Sequence, residues 1–195
     1  MFISLTVICV VAAAILASVN MYTQEPIALS KAATLNNAIK EVAPQYDNDP
    51  TKEAYMVAVG ENDSIRIYPA TMNGELVGAA VESNTKKGFS GEIKVIVGFD
   101  ADGKLLNYSV LQHGETPGLG AKMQEWFRTD KNKQSVLGRD LSNGDLKVSK
   151  DGGDVDAITA ATISSRAFLD AVNRAYAAYK GIDANSSATG QNNDK

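Results

Sequence analysis

The sequence predicts an α+β fold, a mostly antiparallel sheet with packed helices, preceded by one N-terminal transmembrane helix. An apolar, uncharged run covers residues 2–19. Short segments of alternating or β-branched residues then fill residues 53–111 and are separated by turn sequences such as Asn73-Gly74. From Thr162 to Lys180, apolar residues recur at helical spacing. Strands that precede helices, rather than alternating with them, favour a sheet with helices packed on it.

The N-terminal run is long enough to cross a membrane. No charged side chain precedes Glu25, and residues 2–19 would span roughly 27 Å as a helix, close to the hydrocarbon thickness of a bilayer. Met21 and Tyr22 extend the run, so residues 1–22 are predicted to be the anchor. A cleavable signal peptide is the alternative, but no basic residue precedes the run and no small-residue cleavage site is evident before Asn20. The sequence therefore favours an uncleaved anchor.

Three further segments follow the anchor. Residues 23–50 are predicted to be a stalk, with a helix that begins at Pro26 and ends at Val42, before Pro44. Residues 51–181 are predicted to form the folded domain. Residues 182–195 are polar and lack aromatic side chains, and we predict that this tail is disordered.

Within the folded domain the pattern predicts a meander of short strands followed by two helices. The strands are expected at residues 55–59, 65–70, 76–81, 91–99 and 105–111, with another near 146–148. A short amphipathic helix is expected around Leu119 to Phe127, and a longer one begins near Thr162 and stops at Gly181.

Composition excludes several classes of function. The chain has 195 residues, a net charge of −4, one Cys and one His. It therefore cannot form an intramolecular disulfide or a site of several Cys or His ligands, and the acidic groups between Asp145 and Asp156 lack the spacing of an EF-hand. The acidic balance argues against nucleic acid as a partner. We predict no metal site, which leaves carboxylate or hydroxyl chemistry, or an organic cofactor.

Residues 113–120 (HGETPGLG) are unusually rich in glycine. Thr116 as a helix cap, with Pro117 at the first helical position, would explain the Thr-Pro pair. It would not explain Gly118 and Gly120 inside the opening turn, where glycine costs about 1 kcal/mol relative to alanine. We therefore predict that this backbone approaches a ligand closely.

Residues 156–166 (DAITAATISSR) place hydroxyls and small residues at the start of the last helix. A helix N-terminus offers free N–H groups to a phosphate, and Arg166 would add a positive charge. The alternative is ordinary capping by Thr159, Thr162 or Ser164. Spacing alone does not decide between the two.

The two segments together, about 40 residues apart, resemble the FMN-binding domain family of respiratory flavoproteins. Within that family the sequence is more similar to the G-type subunit of Rnf electron-transport complexes than to the C-type subunit of the sodium-pumping NADH:quinone reductase. The resemblance covers most of the chain, including the hairpin GEIKVIVGFDADGKL. The family motif reads roughly Asp-x-x-[Ser/Thr]-Gly-Ala-Thr, and a flavin transferase joins FMN to its threonine through the phosphate.

The resemblance implies a phosphoester between FMN and Thr162, with Asp156, Thr159 and Ala161 at matching motif positions. Ala160 departs from the family's glycine, and would be strained if that position needs a positive φ. We expect the phosphate near the N–H groups of Ser164 and Ser165. The predicted cofactor-binding residues are Thr162 (covalent FMN), Asp156, Thr159, Ala160, Ala161, Ser164, Ser165, Glu115, Thr116, Leu119 and Gly120. Lys122 is a weaker candidate.

The function implied by the resemblance is a membrane-anchored flavoprotein subunit that relays electrons in an ion-translocating complex linked to ferredoxin and NAD. It would act as a redox subunit of a multisubunit enzyme, with little activity alone. Its expected partners are the other membrane and soluble subunits and the flavin transferase. The expected location is the bacterial inner membrane, crossed once, with the folded domain on the periplasmic side.

Two other hypotheses remain open from the residues. One is a membrane-tethered, extracytoplasmic ligand-binding or sensing module without covalent flavin, which the departure at Ala160 keeps open. The other is a hydrolase that uses His113, although the chain has no Gly-x-Ser-x-Gly nucleophile elbow.

Overall fold

The computed structural model describes residues 2–59 and 63–190, with side chains described as far as Gly181. The helices and strands are α1 (Phe2–Val42), β1 (Tyr55–Ala58), β2 (Ser64–Met72), β3 (Glu75–Gly88), β4 (Gly91–Asp100), β5 (Leu105–Gln112), α2 (Met123–Trp126) and α3 (Thr162–Gly190). Short 3₁₀ turns occur at Gly120–Lys122, Leu141–Asn143 and Ser149–Asp151. The α+β prediction is confirmed.

Contacts divide the chain into two compact units, Met1–Asn37 and Ala38–Lys195. The first unit is the greater part of α1, which is long and apolar enough to cross a membrane, by length and composition. Pro26, expected to start a separate helix, lies inside α1. A proline removes one backbone hydrogen bond and disfavours a helix without forbidding it.

The second unit is built on a sheet of five strands in the order β1-β2-β3-β4-β5, with every neighbouring pair antiparallel. The predicted meander is therefore confirmed. The β2–β3 turn is Asn73-Gly74, with φ of 54° and 83°, and two positive φ values are what a type I′ hairpin turn requires.

The two faces of the sheet are covered by different helices. Val97 and Phe99 of β4 belong to a core cluster that includes Phe168 and Val172 of α3. Gly98 lies between them in the strand and so points to the opposite face. There the last turn of α1 packs so closely that a Cβ on Gly98 would overlap the Val42 carbonyl.

An aromatic group fixes α2 against α3. The rings of Phe127 and Phe168 are parallel within 2° with centroids 4.5 Å apart, and Tyr108 contacts Phe168 edge-on at 4.7 Å. The Tyr108 hydroxyl donates to the Met123 carbonyl at 2.7 Å, and burial raises the pKa of Tyr108 above its usual value. This packing positions the start of α3 beside the loop that leads into α2.

Several predicted boundaries differ from the structure, and β3, expected at residues 76–81, continues to Gly88. The strand expected near residues 146–148 is only an isolated parallel bridge between Val148 and Val155, and the helix expected from Leu119 begins at Gly120 as a 3₁₀ turn. α3 continues past Gly181 to Gly190, since a glycine weakens a helix by only about 1 kcal/mol. Residues 191–195 of the predicted tail lie outside the described residues.

Candidate functional site

The glycine-rich loop begins with a tight turn rather than a helix cap. The Leu119 N–H donates to the Thr116 carbonyl at 3.1 Å, with Pro117 and Gly118 between them. Gly118 has a φ of 76°, and proline followed by a residue with positive φ is typical of a type II turn. The alternative explanation, in which Thr116 caps a helix that starts at Pro117, does not match this geometry, because the turn comes first and the helix begins only at Gly120.

Gly120 is required by the protein's own packing. The Glu115 side chain is only 4% exposed; its Oε1 accepts from the Ser90 N–H at 2.9 Å and its Oε2 accepts from the Ser164 hydroxyl. A Cβ on Gly120 would overlap the Ser164 Oγ and lie 2.7 Å from Glu115 Oε2. The Cβ position of Gly120 thus faces Glu115 and Ser164, and Gly120 also lines the apolar cavity described below.

Glu115 accordingly joins three parts of the site. It connects the β3–β4 turn at Ser90, its own loop, and the first turn of α3 at Ser164. Both carboxylate oxygens accept a hydrogen bond, as buried polar atoms require. Glu115, a predicted cofactor contact, lines the apolar cavity described below. Its two hydrogen bonds also connect the parts of the site.

The threonine motif ends where α3 begins. The Ser165 N–H donates to the Ala161 carbonyl at 3.0 Å, so the N–H groups of Thr162, Ile163 and Ser164 precede the first helical hydrogen bond. Thr162 itself is half-buried and lines both of the cavities given below. Its position at the first turn agrees with the sequence prediction.

Ser165 has a structural role instead of the predicted cofactor contact. Its side chain is fully buried, and its hydroxyl donates to the Ala161 carbonyl and accepts from the Ile158 N–H, both at 2.9 Å. Because its amide is also used, Ser165 has no N–H group left for a phosphate. It closes the loop that presents Ala160.

Ala160 has a φ of 61°. Strain at this position was expected only for a positive φ, and the structure meets that condition. A Cβ in this left-handed region costs roughly 1–2 kcal/mol. Thr159 and Ala160 both line the polar cavity described below.

Asp156 anchors the other end of the motif. Its carboxylate accepts from the Ser149 hydroxyl at 2.9 Å and from the Lys133 N–H at 3.3 Å. Its carbonyl accepts from the Trp126 indole at 2.9 Å. These contacts fix the start of the loop that runs to Thr162.

Arg166 pairs with a carboxylate of the protein. Its guanidinium donates two hydrogen bonds to Asp151, at 2.7 and 2.6 Å. This contact holds the pKa of Asp151 below its usual value and raises that of Arg166. The expected contribution of Arg166 to phosphate binding is therefore replaced by this pair. Lys150 supplies a cation beside Thr162 instead, because its Nζ donates to Thr162 Oγ1 at 3.4 Å.

Two cavities meet at Ala160 and Thr162, and we name them by their linings. The apolar cavity, of about 330 Å³, is lined by Phe89, Glu115, Thr116, Leu119, Gly120, Ala160, Ala161, Thr162, Ile163 and Ser164. The polar cavity, of about 440 Å³, is lined by Trp126, Asn132, Gln134, Ser149, Lys150, Asp156, Ala157, Ile158, Thr159, Ala160 and Thr162. The structure thus brings the two sequence motifs together around one threonine.

Comparison with known proteins agrees with this geometry. The model of the FMN-binding domain matches residues 88–177. The chain is 37% identical over 185 residues to the G-type subunit of the ion-translocating oxidoreductase complex of Aliivibrio fischeri, covering 90% of this chain and 87% of that protein. It is 40% identical over 159 residues to the same subunit of Vibrio parahaemolyticus, covering 77% and 74%.

The chain belongs to the family of G-type subunits of ion-translocating oxidoreductase complexes. Its FMN-binding domain takes in the Glu115 loop and the first part of α3. The predicted resemblance is confirmed.

The residues of this G-type chain fit FMN. The apolar cavity lies within the size range of small-molecule sites, and three of its side chains expose apolar surface: Phe89 (68%), Ile163 (50%) and Leu119 (40%). Such a rim suits a flat aromatic ring system. On the other side of Thr162, Lys150 and the first N–H groups of α3 suit a phosphate.

Three residues of the site were missed at the level of sequence. Phe89 lies in the β3–β4 turn, and its only signal is a large aromatic residue where turns usually carry polar ones. Ile163 was assigned to the helix stripe but is half exposed. Lys150 had no signal, because it is 12 residues away from Thr162 along the chain.

Two other predicted features lie outside this arrangement. Lys122 is exposed and lines neither cavity. His113 accepts from the Glu115 N–H at 3.2 Å and lies 3.3 Å from the Gln124 amide nitrogen. Neither contact is to a hydroxyl or a carboxylate, so the geometry gives no support to the hydrolase hypothesis.

Proposed function

We propose that this chain is the membrane-anchored flavoprotein subunit of an ion-translocating oxidoreductase complex, with FMN joined to Thr162 by a phosphoester. Membership of the G-type subunit family and the FMN-binding domain support the redox role. The observation that carries the covalent part is the position of Thr162. It lies at the first turn of α3 and lines both an apolar and a polar cavity.

The chain supplies binding and orientation, and FMN supplies reversible one- and two-electron transfer. Phe89, Leu119 and Ile163 provide an apolar surface for the ring system. The N–H groups of the first turn of α3 face the phosphate position with the positive end of the helix dipole. Glu115 holds the loop and the helix in register.

An ester between an alcohol and a phosphate forms only from an activated phosphoryl donor, and flavin adenine dinucleotide is such a donor. In the reaction the Thr162 Oγ1–P bond forms, the P–O bond to AMP breaks, and the hydroxyl proton is released. A flavin transferase would catalyse this step. Accessibility of Thr162 to a second protein is supported by the exposure of its neighbours Thr159 and Ala160.

The proposal includes a location and partners. α1 would cross the bacterial inner membrane once and keep the folded domain on the periplasmic side. The FMN would receive and pass on electrons among the other subunits of a complex that uses ferredoxin and NAD. The subunit would therefore show little turnover alone.

The test is to produce the full-length chain with a flavin transferase and to examine it on a denaturing gel and by mass spectrometry. We expect a fluorescent band and a mass gain of one FMN less one water. Thr162→Ala should abolish both, whereas Thr162→Ser keeps a hydroxyl and should be labelled. Thr129→Ala, at an exposed threonine that lines neither cavity, is the matched control and should also remain fluorescent.

A wild-type band without fluorescence or mass gain would contradict the covalent proposal. If FMN then appeared in the supernatant after denaturation, FMN binding without the ester would be retained. If no flavin appeared in either form, the membrane-tethered binding module would be the better hypothesis.

A further inference from the structure

The 3₁₀ turn Ser149–Asp151 contacts the threonine motif with each of its three residues. The Ser149 hydroxyl donates to Asp156 Oδ1 at 2.9 Å, and Lys150 Nζ donates to Thr162 Oγ1 at 3.4 Å. Asp151 accepts two hydrogen bonds from Arg166, at 2.7 and 2.6 Å. The turn therefore spans the motif from its first acid to the second turn of α3, with Lys150 at the central position.

The backbone of this turn is fixed on both sides. Val148, just before it, is 1% exposed and pairs with Val155, and the Ser149 N–H donates to the Val155 carbonyl at 2.8 Å. Just after the turn, Gly152 has a φ of 80° and its N–H donates to the Ser149 carbonyl at 3.2 Å. The Lys150 ammonium is thus carried by a rigid base, although the side chain itself is exposed.

The charge of Lys150 is available to an anion, unlike the charges of Arg166 and Lys87. Arg166 is paired with Asp151 and Lys87 with Asp170. Among the residues that the structure describes, Lys150 takes part in no ion pair, and its bond is to the neutral hydroxyl of Thr162. A phosphate on Thr162 would place a negative charge beside this ammonium.

We infer that Lys150 is a positioning residue for the phosphoryl group that is transferred to Thr162; this rests on the proposed function. During transfer the Thr162 Oγ1–P bond forms, the pyrophosphate P–O bond of flavin adenine dinucleotide breaks to release AMP, and the hydroxyl proton passes to water. The ammonium stabilises the negative charge that develops on Oγ1 and on the phosphoryl oxygens. Afterwards Lys150 would pair with the phosphodiester on Thr162, and the apolar cavity would be left for the ring system.

The test measures the initial rate of flavin attachment to full-length chains made without transferase. Each chain is incubated with purified transferase and flavin adenine dinucleotide, and covalent flavin is followed by mass and in-gel fluorescence. We expect Lys150→Ala to slow attachment by about tenfold, the loss of one charge-assisted hydrogen bond, and Lys150→Arg to recover most of the rate.

Lys147→Ala is the matched control. Lys147 is also an exposed lysine, three positions earlier, but it lines a different cavity from Thr162. Its variant should be labelled at the wild-type rate, and thermal unfolding of all three variants should match the wild type. Increasing salt should slow the wild type and reduce the difference between it and Lys150→Ala.

Equal rates for Lys150→Ala and Lys147→Ala would overturn the inference and leave the proposed function intact. A Lys150→Arg variant as slow as Lys150→Ala would also overturn it, because a charge-based role should be restored by another cation. If the wild-type chain gained no flavin while the same transferase labelled another acceptor, the proposed function itself would fail.

Discussion

Ala160 is the residue whose backbone conformation conflicts most directly with its side chain. Its φ of 61° places a Cβ in the left-handed region, which costs roughly 1–2 kcal/mol. Ala160→Gly should therefore raise the free energy of unfolding by about 1 kcal/mol, after the greater freedom of glycine in the unfolded chain is subtracted. In thermal unfolding followed by circular dichroism, Tm should rise by about 2–4 °C.

The neighbouring alanine provides the control for this prediction. Ala161 is buried, and its φ lies outside the positive region. Ala161→Gly should lower stability by about 1 kcal/mol, through lost burial and added chain entropy. If both glycine variants were destabilised equally, strain at Ala160 would be disproved.

For single residues, the sequence predicted local backbone features better than it predicted hydrogen-bond partners. Thr162 at the helix start and the strain that a positive φ would impose on Ala160 both follow from local rules. The partners of Ser165 and Arg166 do not, since Ile158 and Asp151 reach them only after the chain between residues 149 and 161 has folded back. The contact between Lys150 and Thr162 could not be predicted from the sequence for the same reason, because it also depends on this folding back.

At the scale of elements, the two glycines of the ETPGLG loop have different roles, and the difference can be measured. Gly118 has a φ of 76° with nothing within 4 Å of an added Cβ, so Gly118→Ala should lose only the backbone contribution, about 1 kcal/mol. A Cβ on Gly120 would meet Ser164 and Glu115, so Gly120→Ala should lose about 2–3 kcal/mol through overpacking. Urea unfolding of both variants tests the difference.

A second readout separates the two variants further. Gly120→Ala should also slow flavin attachment, because it displaces Glu115 from Ser164 at the first turn of α3. Gly118→Ala should leave attachment near the wild-type rate. A Gly118 variant that is the less stable of the two would contradict the assignment of Gly120 to internal packing.

The order of the five strands was predicted correctly, but β3 runs to Gly88, well past its predicted end at residue 81, and two helix boundaries were missed. The hairpins follow from alternation and from turn dipeptides such as Asn73-Gly74, where local chemistry sets the register. Pro26 and Gly181 were taken to mark helix ends, yet α1 and α3 run through them. Each residue weakens a helix by about 3 and about 1 kcal/mol respectively, and neighbouring residues can offset such a loss.

Across the whole molecule, the site depends on segments that are distant in sequence. Ser90, Glu115, Lys150 and Thr162 come from the β3–β4 turn, the glycine-rich loop, a 3₁₀ turn and α3. Composition had already removed multi-Cys and multi-His metal sites as a source of redox chemistry in this chain. The fold provides two cavities beside Thr162 in which an organic cofactor can be held.

The division into two units predicts which N-terminal truncations the folded domain tolerates. The second unit begins at Ala38, and the last turn of α1 contributes Ile39 and Val42 to it, 2% and 1% exposed. Burying two such side chains contributes roughly 3–6 kcal/mol. A chain that begins at Ala38 should therefore remain folded and soluble without detergent, while one that begins at Ala43 should lose about 4 kcal/mol in urea unfolding. Both lack residues 1–37, so the shorter deletion controls for loss of the predicted anchor. Equal stability of the two would show that the end of α1 is dispensable, and membrane association of the chain from Ala38 would contradict the anchoring role of α1.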